Sequence, residues 1–202
     1  MSEQLLLATT NSGKAAEMRA FLLSALPSWN ILWLSRDKAY AAFQETGSTF
    51  LENARGKGLH YSRSWEGLTL GEDSGLEVDC LEGAPGVFSA RFAGPHATDS
   101  ENIHKLLALM REVPWEQRTA RFVSCLVLAR QGRIIHEFQA KVEGRVRLET
   151  KGSGGFGYDP VFFYPPLKKT FAEMEPEEKN GVSHRGQALR QLRDYLTSVT
   201  PR

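Results

Sequence analysis

The sequence is short of cysteine: two in 202 residues. That excludes a disulfide framework and a thiolate-rich metal site as the organiser of the fold. Cys80 and Cys125 share no CxxC spacing and both fall in strand-like runs, so buried thiols are expected. Such sparing use suits a reducing compartment. Long apolar runs are also missing. No stretch approaches the roughly 18 apolar residues of a membrane span, and the apolar core of MSEQLLLATTNSGK is too short for a secretory signal. Nor is there an excess of charge of one sign. The 25 basic and 24 acidic residues leave a formal net charge of +1, which gives no whole-molecule field to attract a nucleic-acid polymer or an anionic membrane. A cytoplasmic protein without either partner is therefore expected. HExxH, GxSxG and Walker A spacings are absent, and His60, His96, His104 and His136 show no ligand spacing.

What is present is an ordinary globular balance, with 41% apolar and 24% charged residues. The length fits one domain, or one core with a lobe, and there is no internal repeat or linker. Residues 4–9 (QLLLAT) read as a buried strand. A helix is expected from Lys14, with Met18, Phe21, Leu22, Ala25 and Leu26 on one face and Pro27 at its end. Residues 31–34 (ILWL) read as a second strand. Thr49-Phe-Leu-Glu52 and Thr98-Asp-Ser-Glu101 are capping boxes opening two further helices, the first weakened by Gly56 and Gly58. Strands are expected at 68–70 and 76–81. Residues 120–130 and 133–142 form a hairpin about Gln131-Gly132, and Ser183 caps a last helix carrying Ala188, Leu189, Leu192, Tyr195 and Leu196. The fold expected is α/β: a sheet with a second, β-rich lobe and a cleft between them.

Four stretches carry chemistry. TTNSGK (Thr9, Thr10, Asn11, Ser12, Gly13, Lys14) sits between a strand and a helix. Backbone N–H groups and the positive helix end can bind an anion there, or it is an ordinary turn with a solvated lysine. GEDSGLEVD, residues 71–79, holds four carboxylates. Glu72 and Asp73 are placed at a turn, while Glu77 and Asp79 alternate with Leu76, Val78 and Cys80 and face solvent. The turn either holds a hard cation such as Mg²⁺, which needs one or two carboxylates beside phosphate oxygens, or is simply acidic. GSGGFGYDP (152–160) has four glycines in six positions. Phe156 and Tyr158 either stack on a flat ligand beside Asp159 or fill the core. EEKNGVSHRGQAL (177–189) brings Lys179, His184 and Arg185 near a helix start. Cations there oppose the helix dipole unless an anion is present, solvated surface charge being the alternative.

LLATTNSGKAAEM, ETGSTFLENA, EDSGLEVDCLEGAPGVFSARFAG, GSGGFGYDPVFF and EEKNGVSHRGQAL occur in this order from about residue 5 to 190. Together they resemble the ITP/XTP pyrophosphatase family, also called inosine triphosphatase or dITP/XTP pyrophosphatase. The resemblance implies a single domain over 1–202 whose α/β fold is an elongated mixed sheet with two lobes and a central cleft. It implies a cytoplasmic homodimer that uses Mg²⁺ to hydrolyse ITP, dITP and XTP to the monophosphate and pyrophosphate. It also implies residue roles. Thr9 to Lys14 bind the triphosphate and Lys57 lies near the phosphates. Glu45, Glu72 and Asp73 hold the metal, and Asp73 also activates water. Ser74 touches substrate. Phe156, Gly157, Tyr158 and Asp159 hold the base. Lys179, His184 and Arg185 read the 6-oxo edge, since such donors favour a keto acceptor over adenine's amino group. The family usually has two aspartates before Ser-Gly; here the first is Glu72. Two other readings are a Maf-type pyrophosphatase, against which the Ser-His-Arg and Phe-Gly-Tyr-Asp blocks speak, and a nucleotide sensor without catalysis, against which Asp73, Glu45 and Lys14 speak.

Overall fold

The computed structural model describes residues 3–34 and 40–199. The chain runs β1 (Gln4–Ala8), α1 (Ser12–Ala25), β2 (Asn30–Trp33), α2 (Phe50–Ser62), β3 (Leu68–Val78) and α3 (Asp99–Leu109). It continues through β4 (Thr119–Arg130), β5 (Arg133–Val146), β6 (Phe162–Tyr164), β7 (Lys169–Thr170), α4 (Pro176–Val182) and α5 (His184–Val199). The strands form a mixed sheet in the order β2-β1-β3-β4-β5-β6-β7. β1 pairs in parallel with β2 and β3, and β6 pairs antiparallel with β5 and β7. The expected mixed α/β sheet is therefore present.

The chain divides into two compact units. The first comprises residues 1–73, 124–140 and 185–202, and the second 74–123 and 141–184. In the first, Leu5 and Leu7 of β1, Met18 and Leu22 of α1, Leu70 of β3, Leu126 of β4 and Leu189 and Leu192 of α5 share one core. These are the residues whose three- and four-residue or alternating spacing marks apolar faces. In the second, Leu76 and Val78 of β3, Ile103 and Leu106 of α3, Phe122 and Val142 pack with Phe162 and Phe171. Arg118, 1% exposed, ties this core's edge. Its guanidinium donates to the carbonyls of Val113, Arg147 and Met110, the last being the C-cap residue of α3.

Several local expectations need correction. α1 begins at Ser12 rather than Lys14, because Asn11 caps it by accepting from Lys14 N at 2.9 Å. The N-terminal stretch is thus a helix's first turn. Thr98 and Glu101 close the expected capping box. Thr49 accepts from Glu52 N, but the Glu52 carboxylate reaches Ser48 N and Oγ. β3 is one strand of 11 residues, not two strands about an acidic turn. The Glu72 and Asp73 pair lies within a paired strand because its charges are compensated by buried cations, as described below. That strand ends at Val78, so Cys80 falls in a 3-10 turn and is exposed, whereas Cys125 is buried as expected.

The glycines that weaken α2 have a packing reason. A β-carbon at Gly71 of β3 would meet the backbone of Ala54 and Gly58, and one at Gly56 would meet the Phe43 ring. Helix and strand approach so closely that only glycine fits at Gly71. Gly71→Ala is expected to cost about 1–3 kcal/mol by overpacking. Gly58→Ala, whose nearest atoms lie at 3.3–3.5 Å, is expected to cost less. Urea denaturation of the two variants checks the order.

Candidate active site

In the first unit, the turn after β1, the inner face of α2, the middle of β3 and the start of α5 place charged groups together. Lys14 Nζ lies 3.0 Å from Glu72 Oε2 and 3.8 Å from Asp73 Oδ1. Lys57 Nζ donates to the Glu72 carbonyl at 2.9 Å and lies 2.5 Å from Glu45 Oε1 and 3.4 Å from Asp73 Oδ1. Arg185 donates to Glu72 Oε1 at 3.3 Å and to Glu17 Oε2 at 2.5 Å. Asn53 Nδ2 donates to Asp73 Oδ2 at 3.1 Å. Glu72 is fully buried, and Asp73 and Arg185 are nearly so.

Among the described residues, Lys14, Lys57 and Arg185 thus face Glu17, Glu45, Glu72 and Asp73. Burial pushes the Asp73 carboxyl above the usual aspartate range, with Glu45 and Glu72 adding to the push and Lys57 and Lys14 opposing it. Burial alone would depress the Lys57 ammonium, but Asp73, Glu45 and Glu72 outweigh it and hold it above its ordinary value. Arg185 behaves likewise under Glu72 and Glu17. The three upward shifts have different sources: burial for Asp73, and the facing carboxylates for Lys57 and Arg185.

The donor set suits a hard cation, being carboxylate oxygen without sulfur or imidazole. Among the described residues no group of three His, Cys, Asp or Glu side chains is arranged to hold an ion by itself.

Of the remaining expected residues in the first unit, Thr9 is buried and accepts from Asn11 N, while Thr10, Asn11 and Ser12 are exposed. Arg185 answers the question its sequence position raised. The anions opposite the start of α5 include the protein's own Glu17 and Glu72.

The second unit holds the glycine-loop residues. Lys179 Nζ lies 2.5 Å from Asp159 Oδ2, with both residues buried. The same carboxylate oxygen accepts from Phe156 N at 2.9 Å. The Lys179 ammonium sits 5.1 Å from the centre of the half-buried Phe156 ring, within cation–π range. Gly155 has φ +71° and faces the Asp159 carboxylate so closely that a β-carbon would collide with it, so this turn requires glycine. Gly157 N donates to Asp99 at 2.7 Å. Tyr158 belongs to the core, its hydroxyl donating to Ser89 O at 3.0 Å and its pKa driven up by burial. The loop's two aromatics therefore divide: Tyr158 packs inside, and Phe156 keeps partial exposure. His184 is buried and stacks on Phe122, centroids 4.7 Å apart at 11°. Ser74 is buried in β3, directly after Asp73. Lys179 joins Asp159 while Arg185 joins Glu17 and Glu72, so their sequence proximity hides separate partners.

Two residues of the cluster escaped sequence reading. Glu17 follows Lys14 by three positions and Asn53 precedes Lys57 by four, so each shares a helix face with a residue that was found. Those spacings were the available signal.

Fold and site define a mixed α/β protein with a buried cluster of paired carboxylates and cations. The chain belongs to the Ham1 family, whose sequence profile matches residues 5–195. It is 43% identical to a dITP/XTP pyrophosphatase of Desulforamulus reducens, over 97% of this chain and 96% of the relative. It is 45% identical to a dITP/XTP pyrophosphatase of Vibrio parahaemolyticus, over 98% of each. The solved HAM1 protein from Coxiella burnetii matches with a TM-score of 0.86 at 38% identity, covering 98% of this chain and 100% of that one. The resemblance read from the five sequence blocks is borne out.

The raised Asp73 pKa has a signed consequence. The folded state binds this proton more tightly than the unfolded chain. Stability is therefore lost as pH rises from the unfolded aspartate value, about 3.9, through the higher folded one. Without divalent cation, Asp73→Asn is expected to melt above the wild type at pH 7.5. The gap should close near pH 4, as thermal melts in chelator at several pH values would show.

Proposed function

We propose that this protein hydrolyses ITP, dITP and XTP to the nucleoside monophosphate and pyrophosphate, removing deaminated purines from the nucleotide pool. The observation that carries the reading is the buried Lys14–Asp73–Lys57 cluster behind the first turn of α1, in a Ham1-family chain whose relatives are named dITP/XTP pyrophosphatases.

The polyphosphate is assigned to the first turn of α1 and to Lys14 and Lys57. Exposed Ser12 and half-buried Gly13 offer backbone N–H groups at the helix's positive end, and the lysines exchange carboxylate partners for phosphate oxygens. Glu45, Glu72 and Asp73 would hold Mg²⁺, which when bound supplies charge neutralisation on the phosphate oxygens. Asp73 accepts a proton from the attacking water, its raised pKa bringing it closer to the working pH. The water oxygen bonds to the α-phosphorus, the bond to the bridging oxygen breaks, and pyrophosphate leaves. Arg185 holds Glu72 from the side away from Lys14, one carboxylate oxygen to each.

The base is assigned to Phe156, stacking on its ring, and to Lys179 and His184 as donors to the 6-keto oxygen. Asp159 sets the Lys179 ammonium beneath Phe156. Adenine would leave those donors facing an amino group, a mismatch that polar sites reject strongly. The working form is proposed to be a homodimer of one catalytic domain spanning residues 1–202, in the cytoplasm. Among the described residues no helix is long and apolar enough to cross a membrane.

Pyrophosphate release from ITP, XTP, GTP and ATP, with and without Mg²⁺, tests the proposal. Metal-dependent release from ITP and XTP is expected, with little from ATP. Asp73→Asn should lower kcat by about 10²-fold or more, the scale of a lost general base. Release of phosphate and a nucleoside diphosphate would sink the mechanism. Phe156→Ala is expected to raise KM for ITP about tenfold or more by loss of base stacking, which is worth roughly 1–3 kcal/mol, with kcat changing less.

A further inference from the structure

We infer that Asn53 is a positioning residue for Asp73, coupling the aim of its carboxylate to the coil segment that carries Glu45. The inference rests on the assignment of Asp73 as the group that accepts the water proton.

Asn53 is 1% exposed, in the first turns of α2. Its side-chain amide makes two bonds of opposite sense. Oδ1 accepts from Gly47 N at 2.8 Å, and Nδ2 donates to Asp73 Oδ2 at 3.1 Å. A backbone N–H can only donate, so Gly47 dictates which end of the amide faces it. The –NH₂ end is thereby committed to Asp73. With Oδ2 held by Asn53, Oδ1 is the oxygen turned toward Lys57 and Lys14, at 3.4 and 3.8 Å. One residue therefore decides which carboxylate oxygen faces the lysines that hold the polyphosphate.

The other bond runs to the loop. Gly47 lies two residues after Glu45, whose carboxylate meets Lys57. The same loop is anchored further back, where Phe43 N donates to the Tyr61 hydroxyl and Ala41 O meets His60 Nε2. Phe43 rests on the notch left by Gly56. α2 thus presents His60, Tyr61, Gly56, Lys57 and Asn53 to the segment that delivers Glu45, and Asn53 alone of these also reaches Asp73 through an uncharged donor.

The test separates a loop-holding role from an aiming role. Asn53→Asp keeps an acceptor for Gly47 N but removes the donor to Asp73, and Asn53→Ala removes both. Each is made alone and with Asp73→Asn, and kcat, KM for ITP and melting temperature are measured. Both single variants are expected to lose about 10- to 100-fold in kcat, the scale of an angstrom-level misplacement, with KM within about threefold by the same logic. Neither should lower the residual rate of Asp73→Asn further, because a residue acting through another is non-additive with it. A crystal structure of Asn53→Ala is expected to show the Asp73 carboxylate turned from its wild-type rotamer. Wild-type kcat in Asn53→Asp, losses that multiply with Asp73→Asn, or an unmoved carboxylate would each overturn the inference. Full activity of Asp73→Asn itself would instead overturn the assignment of Asp73.

Discussion

The interaction on which the rest depends is the compensation of two adjacent carboxylates inside a β-strand. Glu72 and Asp73 occupy the middle of β3, a strand buried along most of its length. Unpaired, each ionised carboxylate there would cost several kcal/mol. The fold meets that cost from three directions: Lys14 from the helix that follows β1, Lys57 from α2, and Arg185 from the start of α5. Lys14 reaches both acids, while Lys57 meets Asp73 and Arg185 meets Glu72. Parallel pairing of β1 with β3 brings Ala8 opposite Gly71, which delivers the Lys14 turn beside the acids. Gly71 and Gly58 let α2 lie close enough for Lys57 to reach.

The network extends beyond these three cations: Arg185 also meets Glu17, and Lys57 also meets Glu45. Burial raises the Asp73 carboxyl, while the facing carboxylates raise Lys57 and Arg185. The second unit treats its own buried pair differently. Lys179 and Asp159 meet each other there, which places the ammonium beside the Phe156 ring.

Glu72 is longer by a methylene than the aspartate its resemblance leads one to expect. The extra reach is used: its two oxygens separate to meet Lys14 and Arg185. Arg185 in turn extends to Glu17 on α1, so the first and last helices of the first unit are joined through the site itself. A change in the acid's length therefore alters a chain of charges and not a single contact.

Much of this was legible in the linear sequence, for reasons of period and local chemistry. Alternation and three-to-four spacing marked the strands and helices that form the two cores. Thr98-Asp-Ser-Glu101 marked a cap, and Gln131-Gly132 a hairpin turn, because these depend on atoms a few residues apart. The ordered blocks pointed to Lys14, Asp73, Lys57 and Lys179. Tertiary structure alone decided the rest. A turn and a strand interior look alike when the cations that allow burial lie 15 to 113 positions away. That Tyr158 packs inward while Phe156 stays half exposed depends on the carbonyl of Ser89, 69 residues distant. Sequence set the kinds of groups available and their local directions; which acid met which base was settled only when β-pairing and helix packing closed the long loops between them.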